Sequence, residues 1–261
     1  MLRALYTAAT GMDAQQTKLD VIANNLANSG TTGFKRVRAD FEDLLSETVR
    51  SATAPTPQGG GRPEPMQVGL GVRTATTTRS FSQGDVNETK NSLDIAIEGS
   101  GFFRIQRSNG DFAYTRAGNL RQDATCRLVT QTGEIVDPAI TFPSDTTSIT
   151  IRADGTVLAA VPGKTDPVEV GSLHLAMFTN PGGLDALGTN LYGATVASGD
   201  PTLVKPGEQG SGSLSQGYLE GANVQVVQEM VDLITTQRAY EMNSKTIQTA
   251  DAMLQKLTQL H

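Results

Sequence analysis

Apolar residues recur along this chain in two different rhythms. Near its start, Met1, Leu5, Ala8, Met12, Gln15, Leu19, Ile22 and Leu26 follow one another at alternating steps of three and four. Near its end, Val226, Leu233, Tyr240, Ile247 and Leu254 recur at a strict seven, with Met230 beside the first of them. Such spacing lays side chains along one stripe of a helix, the seam of a coiled coil. The first stretch predicts a helix over 2–27, roughly 39 Å long at about 1.5 Å per residue. The last predicts one over 222–259. Asn28-Ser29-Gly30 closes the first, with Gly30 suited to a left-handed cap. Polar positions on the seams, Gln15, Gln237, Ser244 and Asp251, weaken an isolated pair and fix its register.

Between the helices the period falls to two, from about residue 70 to 180. Leu93, Ile95 and Ile97 alternate with Asp94, Ala96 and Glu98; Phe103 and Ile105 with Arg104 and Gln106; and Phe112, Tyr114, Ile149, Ile151, Leu173, Leu175 and Met177 continue the pattern. Half-buried strands read this way because successive side chains face opposite sides of a sheet. Asn109-Gly110, Thr132-Gly133 and Asp154-Gly155 lie between such runs and predict tight hairpin turns. Phe41, Leu44, Leu45 and Val49 have helical spacing and predict a second, short helix. The segment 52–65 carries Pro55, Pro57, Pro63, Pro65 and Gly59-Gly60-Gly61, which disfavours regular structure. It reads as a surface loop, or as a loop that orders against a neighbouring subunit. Residues 180–220, rich in Gly, Ser and Pro, read as a loose return path.

The predicted fold has α and β segregated. Residues 1–30 and 222–261 form a helical, coiled-coil core domain, 31–74 a connecting segment, and 75–221 an outer antiparallel β domain. A chain whose two ends carry seams around a projecting middle suggests a subunit that polymerises. Composition agrees. The 261 residues are 38% hydrophobic and 5% aromatic, with no Trp, which is thin for one compact globule. A net charge of -6 argues against nucleic acid and anionic membrane as partners. No apolar run approaches the roughly 18 residues of a membrane span. Asp13, Lys18 and Asp20 interrupt the apolar start, so no cleaved signal peptide is expected.

Candidate chemistry is sparse. A single cysteine, Cys126, excludes a disulfide framework and a cysteine zinc site, and two histidines leave little for metal or acid–base work. Gly99-Ser100-Gly101 has Arg104 where a dinucleotide fingerprint needs its third glycine, so it reads as a bend between strands. His174 lies in an alternating run and reads as a structural residue, with no nucleophile elbow in the chain to serve it. No catalytic, metal or cofactor residues are expected.

The residues that close the two helices carry a resemblance. Asn24-Asn25-Leu26-Ala27-Asn28 followed by Thr32-Gly33-Phe34-Lys35-Arg36 resembles the N-terminal signature of the bacterial flagellar rod and hook family. Glu229-Met230-Val231 and Thr236-Gln237-Arg238-Ala239-Tyr240-Glu241, with Asn243-Ser244-Lys245, resemble its C-terminal signature. In the middle, Leu93 to Phe103, Tyr114-Thr115-Arg116-Ala117-Gly118 and Gly188-Thr189-Asn190-Leu191-Tyr192 are similar to its β domain. Thr125-Cys126 stands where relatives usually carry an Asn-Gly hairpin, a local departure.

The resemblance implies a structural role and no enzyme. The length, room for one outer domain only, and Phe41-Glu42-Asp43-Leu44-Leu45 before the Pro/Gly insert favour the distal part of the rod over the hook and the proximal rod. The ending Met253 to Leu260 agrees. On this reading subunits leave through the flagellar type III export apparatus and build a straight, hollow helical tube of identical copies. That tube carries torque through the periplasm and meets proximal rod proteins, the hook protein, a rod cap and surrounding ring proteins. The seam residues would be Leu5, Met12, Leu19, Ile22, Leu26, Val226, Met230, Leu233, Tyr240, Ile247 and Leu254. Competing readings are a hook or proximal rod protein and, outside the family, a soluble hydrolase using His174 or a secreted adhesin with coiled-coil ends.

Overall fold

The computed structural model describes residues 2–50, 64–163 and 166–259. The segment 52–65 falls outside the described residues except for Glu64 and Pro65, and so does the side chain of Leu254. The chain divides into two compact units, each assembled from separated stretches. The first joins Met1–Leu26, Val37–Thr78 and Val226–His261; the second joins Ala27–Arg36 and Arg79–Gln225. The stretch 31–74, expected to connect two domains, is itself shared between the units, dividing at Arg36 and Val37.

The first unit holds helix α1 (Leu2–Ala27), helix α2 (Val226–Gln259) and two ribbons. One ribbon pairs β1 (Val37–Asp43) with β4 (Val72–Arg79), the other β2 (Ser46–Arg50) with β3 (Met66–Gly69). The short helix predicted around Phe41 to Val49 is therefore replaced by strands. The spacing is helical, but β4 supplies β1 with a Thr-rich partner and β3 pairs β2, and cross-strand bonds then win. Arg73 donates to Glu42 at 2.9 Å, Thr78 to Asp40 at 2.7 Å, and the Leu44 amide to Gly71 O at 2.9 Å. Gly71 lies at φ 119° against Thr10 of α1, where a side chain would collide with the Thr10 hydroxyl.

The end of α1 also differs from expectation. Gly30 takes no left-handed conformation; Gly33 does, at φ 69°. The chain leaves the helix through two successive turns, Thr31 N to Asn28 O at 3.0 Å and Phe34 N to Thr31 O at 3.2 Å. The reversal therefore falls three residues later than a simple cap would place it.

The second unit is built from antiparallel strands, as their alternation required. They are β5 (Val86–Glu88), β6 (Ile95–Glu98), β7 (Phe102–Gln106), β8 (Phe112–Thr115), β9 (Arg121–Gln122), β10 (Leu128–Val129) and β11 (Ile135–Asp137). There follow β12 (Ser148–Ile151), β13 (Thr156–Ala160), β14 (Val168–Ser172) and β15 (Leu175–Met177). The presumed return path is itself strand-rich, with β16 (Asp185–Gly188), β17 (Leu191–Gly193), β18 (Thr202–Val204), β19 (Ser213–Gln216) and β20 (Tyr218–Glu220). Short strands of two to five residues escape a periodicity test that needs longer windows.

The largest sheet runs β16-β17-β8-β7-β11-β10-β9, with β15 joining β7 to β18; β12-β13-β14 form a second, β19 pairs β6, and β20 pairs β5. The three predicted hairpin turns are present, with Gly110, Gly133 and Gly155 at φ 90°, 85° and 86°. Cys126 takes φ 58° in the turn from β9 to β10, so a cysteine adopts the left-handed conformation that a glycine would enter freely. Inside lie Ile95, Ile97, Phe103, Leu128, Val157 and Leu175. A second cluster stacks Phe102, Tyr114, Phe178 and Tyr192 edge to face, with ring centroids 4.8 Å apart for Tyr114 and Phe178.

Gly118 sits where the chain passes Ile95, accepting the Ile95 amide at 3.0 Å, and a Cβ there would collide with the Ile95 carbonyl oxygen. Gly118→Ala should therefore force the backbone apart and cost about 3 kcal/mol or more, an overpacking loss at the upper end of the usual range. Urea denaturation would measure it, and an undiminished midpoint would contradict the close approach.

Candidate assembly face and buried ionic clamp

In the first unit α1 and α2 run antiparallel. Asn25 Nδ2 reaches Glu229 Oε2 at 3.3 Å, and a Cβ on Gly11 would lie 3.0 Å from Asn243 Nδ2. These contacts are fourteen residues apart on both helices, two heptads in one register. Asn25 also pairs with the backbone of Val37 like a strand, donating to Val37 O at 2.8 Å and accepting the Val37 amide at 2.9 Å.

The buried positions of α2 repeat at seven, but they are Glu229, Thr236 and Ala250, with half-buried Asn243 in the same series. On α1 the buried side chains are Ala8, Ala14, Ile22 and Asn25. The pairing within one chain thus uses small and polar groups. Of the seam residues read from sequence, Ile22 is buried; Leu5, Met12, Leu19, Leu26, Leu233 and Ile247 are half-buried; Val226, Met230 and Tyr240 stand in solvent. Val227, Val231 and Ile234 extend that exposed apolar stripe, Val227 being 77% exposed. Gln237 and Arg238 of the C-terminal signature are exposed, Ala239 is half-buried, and Asn24 is exposed at the other end.

The N-terminal signature continues into the second unit, where Gly33, Phe34 and Lys35 are all buried and Asn28 is half-buried. The side chain of Lys35 has 0% exposure; its Nζ donates to Glu220 Oε1 at 2.6 Å and to Ser82 O at 2.7 Å. Arg116 reaches the same carboxylate, Nε to Oε2 at 2.9 Å and Nη2 to Oε1 at 3.3 Å, while its Nη1 donates to Gly99 O and Gly101 O at 2.8 Å each. Gly84 N adds a further bond to Glu220 Oε1 at 2.9 Å. Glu220 O accepts the Gly33 amide at 2.8 Å. A Cβ on Gly33 would lie 2.7 Å from Ala117 N, so the position needs glycine both for its φ and for the close approach.

Asn223 completes the clamp. It accepts the Arg36 amide at 2.6 Å and donates to Ser80 O at 2.9 Å and Ser82 O at 3.1 Å. Glu220, Arg116 and Asn223 were not singled out from sequence. Lys35 beside Phe34 hints at a cation that must find an acid, but no local signal names one 185 positions away. His174 is half-buried between buried Leu173 and Leu175, in the link from β14 to β15. Among the described residues no group of His, Cys, Asp and Glu could hold a metal, and no helix is long and apolar enough to cross a membrane.

Removing one partner of a buried ionic group strands the others, at about 3–5 kcal/mol. Glu220→Gln leaves two buried cations and should incur that loss in urea denaturation. Lys35→Met leaves Arg116 and Glu220 neutral as a pair and should cost clearly less; the reverse ranking would contradict the shared carboxylate. Burial holds the Lys35 ammonium below its usual 10.5, Glu220 opposing the shift and Arg116 adding to it. Between the lowered value and 10.5 the unfolded chain binds more protons, so stability rises with pH across that window. Lys35→Met should flatten that rise.

Comparison with known proteins follows the same three segments. Residues 5–35 match the family described as flagella basal body rod protein, 96–159 the flagellar hook protein FlgE/F/G D1 domain, and 215–260 the flagellar basal body rod FlgEFG protein C-terminal region. The clamp takes Lys35 from the first, Arg116 from the second and Glu220 from the third. The chain is 48% identical over 260 residues to the flagellar basal-body rod protein FlgG of Buchnera aphidicola, covering 100% of both chains. It is 48% identical over 260 residues to FlgG of Caulobacter vibrioides, covering 99% of each. The flagellar hook protein FlgE of Helicobacter mustelae is 46% identical, but over 137 residues, 52% of this chain and 30% of the hook protein. Full-length identity to rod proteins, set against a partial match to a hook protein, decides between those two readings: the chain belongs to the FlgG family of flagellar basal-body rod proteins, a structural family without enzymatic activity.

Proposed function

We propose that this chain is a distal-rod subunit that polymerises through its terminal helices into a straight, hollow tube and transmits torque from motor to hook. The observation that carries this reading is the apolar stripe of α2, with Val226, Val227, Met230, Val231 and Ile234 in solvent. Apolar area of that extent is removed from water by association, and burying a Val, Ile or Met side chain contributes about 1.5–3 kcal/mol.

Among the described residues the helices fully bury alanines, one isoleucine and polar groups, too little to offset the roughly 1–2 kcal/mol per residue lost on ordering a backbone. Neighbouring copies supply the missing area, forming the coiled-coil core and coupling helix order to assembly. Leu5, Met12, Leu19, Ile22, Leu26, Val226, Met230, Leu233, Tyr240, Ile247 and Leu254 are its proposed seam. The segment 52–65, carried between β2 and β3, is proposed to pack against a neighbour and stiffen the tube. Proximal rod proteins, the hook protein, a rod cap, surrounding ring proteins and the type III export apparatus are its proposed partners.

Electron microscopy of the concentrated protein should show straight hollow filaments. Val227→Glu combined with Val231→Glu should abolish them while leaving the β-unit fold intact by near-UV circular dichroism. Filaments that form unchanged would remove the stripe from the assembly contact. Far-UV circular dichroism should also show more helix per chain in the filament than in dilute monomer, and equal helix content would disprove coupled ordering. Deleting residues 52–65 should lower the bending stiffness measured from filament curvature.

A further inference from the structure

Two buried cations in the second unit depend on one acid, and that acid lies last along the chain. Besides Glu220, Lys35 and Arg116 donate to backbone carbonyls, Ser82 O for the first and Gly99 O and Gly101 O for the second. The Glu220 carboxylate is saturated in return, taking donors from Lys35, Arg116 and Gly84 N. A chain ending before residue 220 therefore carries two cations at sites that cannot both be buried without a counter-charge. The clamp also needs residues 33–36, 82–84, 99–101, 116 and 220–223 side by side. Its loops are long, from 104 to 185 residues, and their closure is unfavourable until a sheet already holds the segments close.

We propose that Glu220 is the closing element of the second unit. The sheets and core form with the clamp open, and entry of Glu220 then locks residues 33–36 onto the body. The unit cannot close in any chain to which that acid has not yet been supplied, so an incomplete chain stays open by electrostatics alone. Asn223 seals the same step three residues later, its amide nitrogen and side chain taking Phe34 O, the Arg36 amide and Ser80 O.

The test is the partition of rates in the full-length protein, followed by tyrosine fluorescence during urea refolding and unfolding, since Tyr114 and Tyr192 are buried in this unit. Contacts made after the transition state alter unfolding and leave refolding nearly untouched. Glu220→Gln should unfold on the order of 100-fold faster, with refolding changed less than about threefold. Refolding slowed as much as unfolding is accelerated would overturn the proposal, because the clamp would then belong to the folding nucleus. Should Glu220→Gln fail to fold, Glu220→Asp keeps the charge but shortens its reach and should show the same one-sided partition, on the order of 10-fold in unfolding. The double variant Lys35→Met with Glu220→Gln removes one stranded cation and should unfold more slowly than Glu220→Gln alone. A double variant no slower than the single would also overturn it.

Discussion

One carboxylate shared by two cations holds together the points where the chain enters and leaves the second unit. Glu220 binds Lys35 and Arg116 by its side chain and Gly33 by its carbonyl, and Asn223 N bonds Phe34 O beside it at 3.4 Å. Residues 33–36 follow α1, and residues 220–223 precede α2. Fixing those two short stretches against each other closes the second unit across 185 residues of chain.

Desolvating three charges is costly, and apolar groups of equal volume would often serve stability as well or better. What the charges add is discrimination. A carboxylate with two cationic partners and a backbone donor accepts one arrangement of its neighbours, whereas an apolar plug tolerates several. The same division of labour appears in the helical unit. Asn25, Gly11, Asn243 and Glu229 occupy the contact between α1 and α2, where larger apolar residues would bind more strongly. Polar and small groups there set register while leaving the broader apolar stripe of α2 uncommitted. In the proposed polymer the inner contact is specific and the outer stripe is left to bind neighbours.

Much of this was legible along the chain. Both helices fall within a few residues of the periodic runs that predicted them, and the Asn-Gly, Thr-Gly and Asp-Gly pairs mark real hairpins. Those features depend on local physics: the helical repeat of an apolar stripe, and glycine's freedom at positive φ. Where local signals were weak or misleading, the partner decided. Phe41 to Val49 has helical spacing, yet β4 draws its first residues and β3 its last into two ribbons; the strands after residue 180 are too short for their period to register.

By itself, then, the sequence determined the two terminal helices, the antiparallel β-rich region between them and, through its signatures, the family. It did so because helical stripes, strand alternation and turn glycines act over a few residues and leave their mark in order. Tertiary structure alone decided which face of α2 turns inward, why Gly33 rather than Gly30 is the reversing glycine, and that Lys35, Arg116 and Glu220 meet. Those outcomes depend on desolvation and close approach between segments up to 185 residues apart, and neither quantity is written in the spacing of neighbours along the chain.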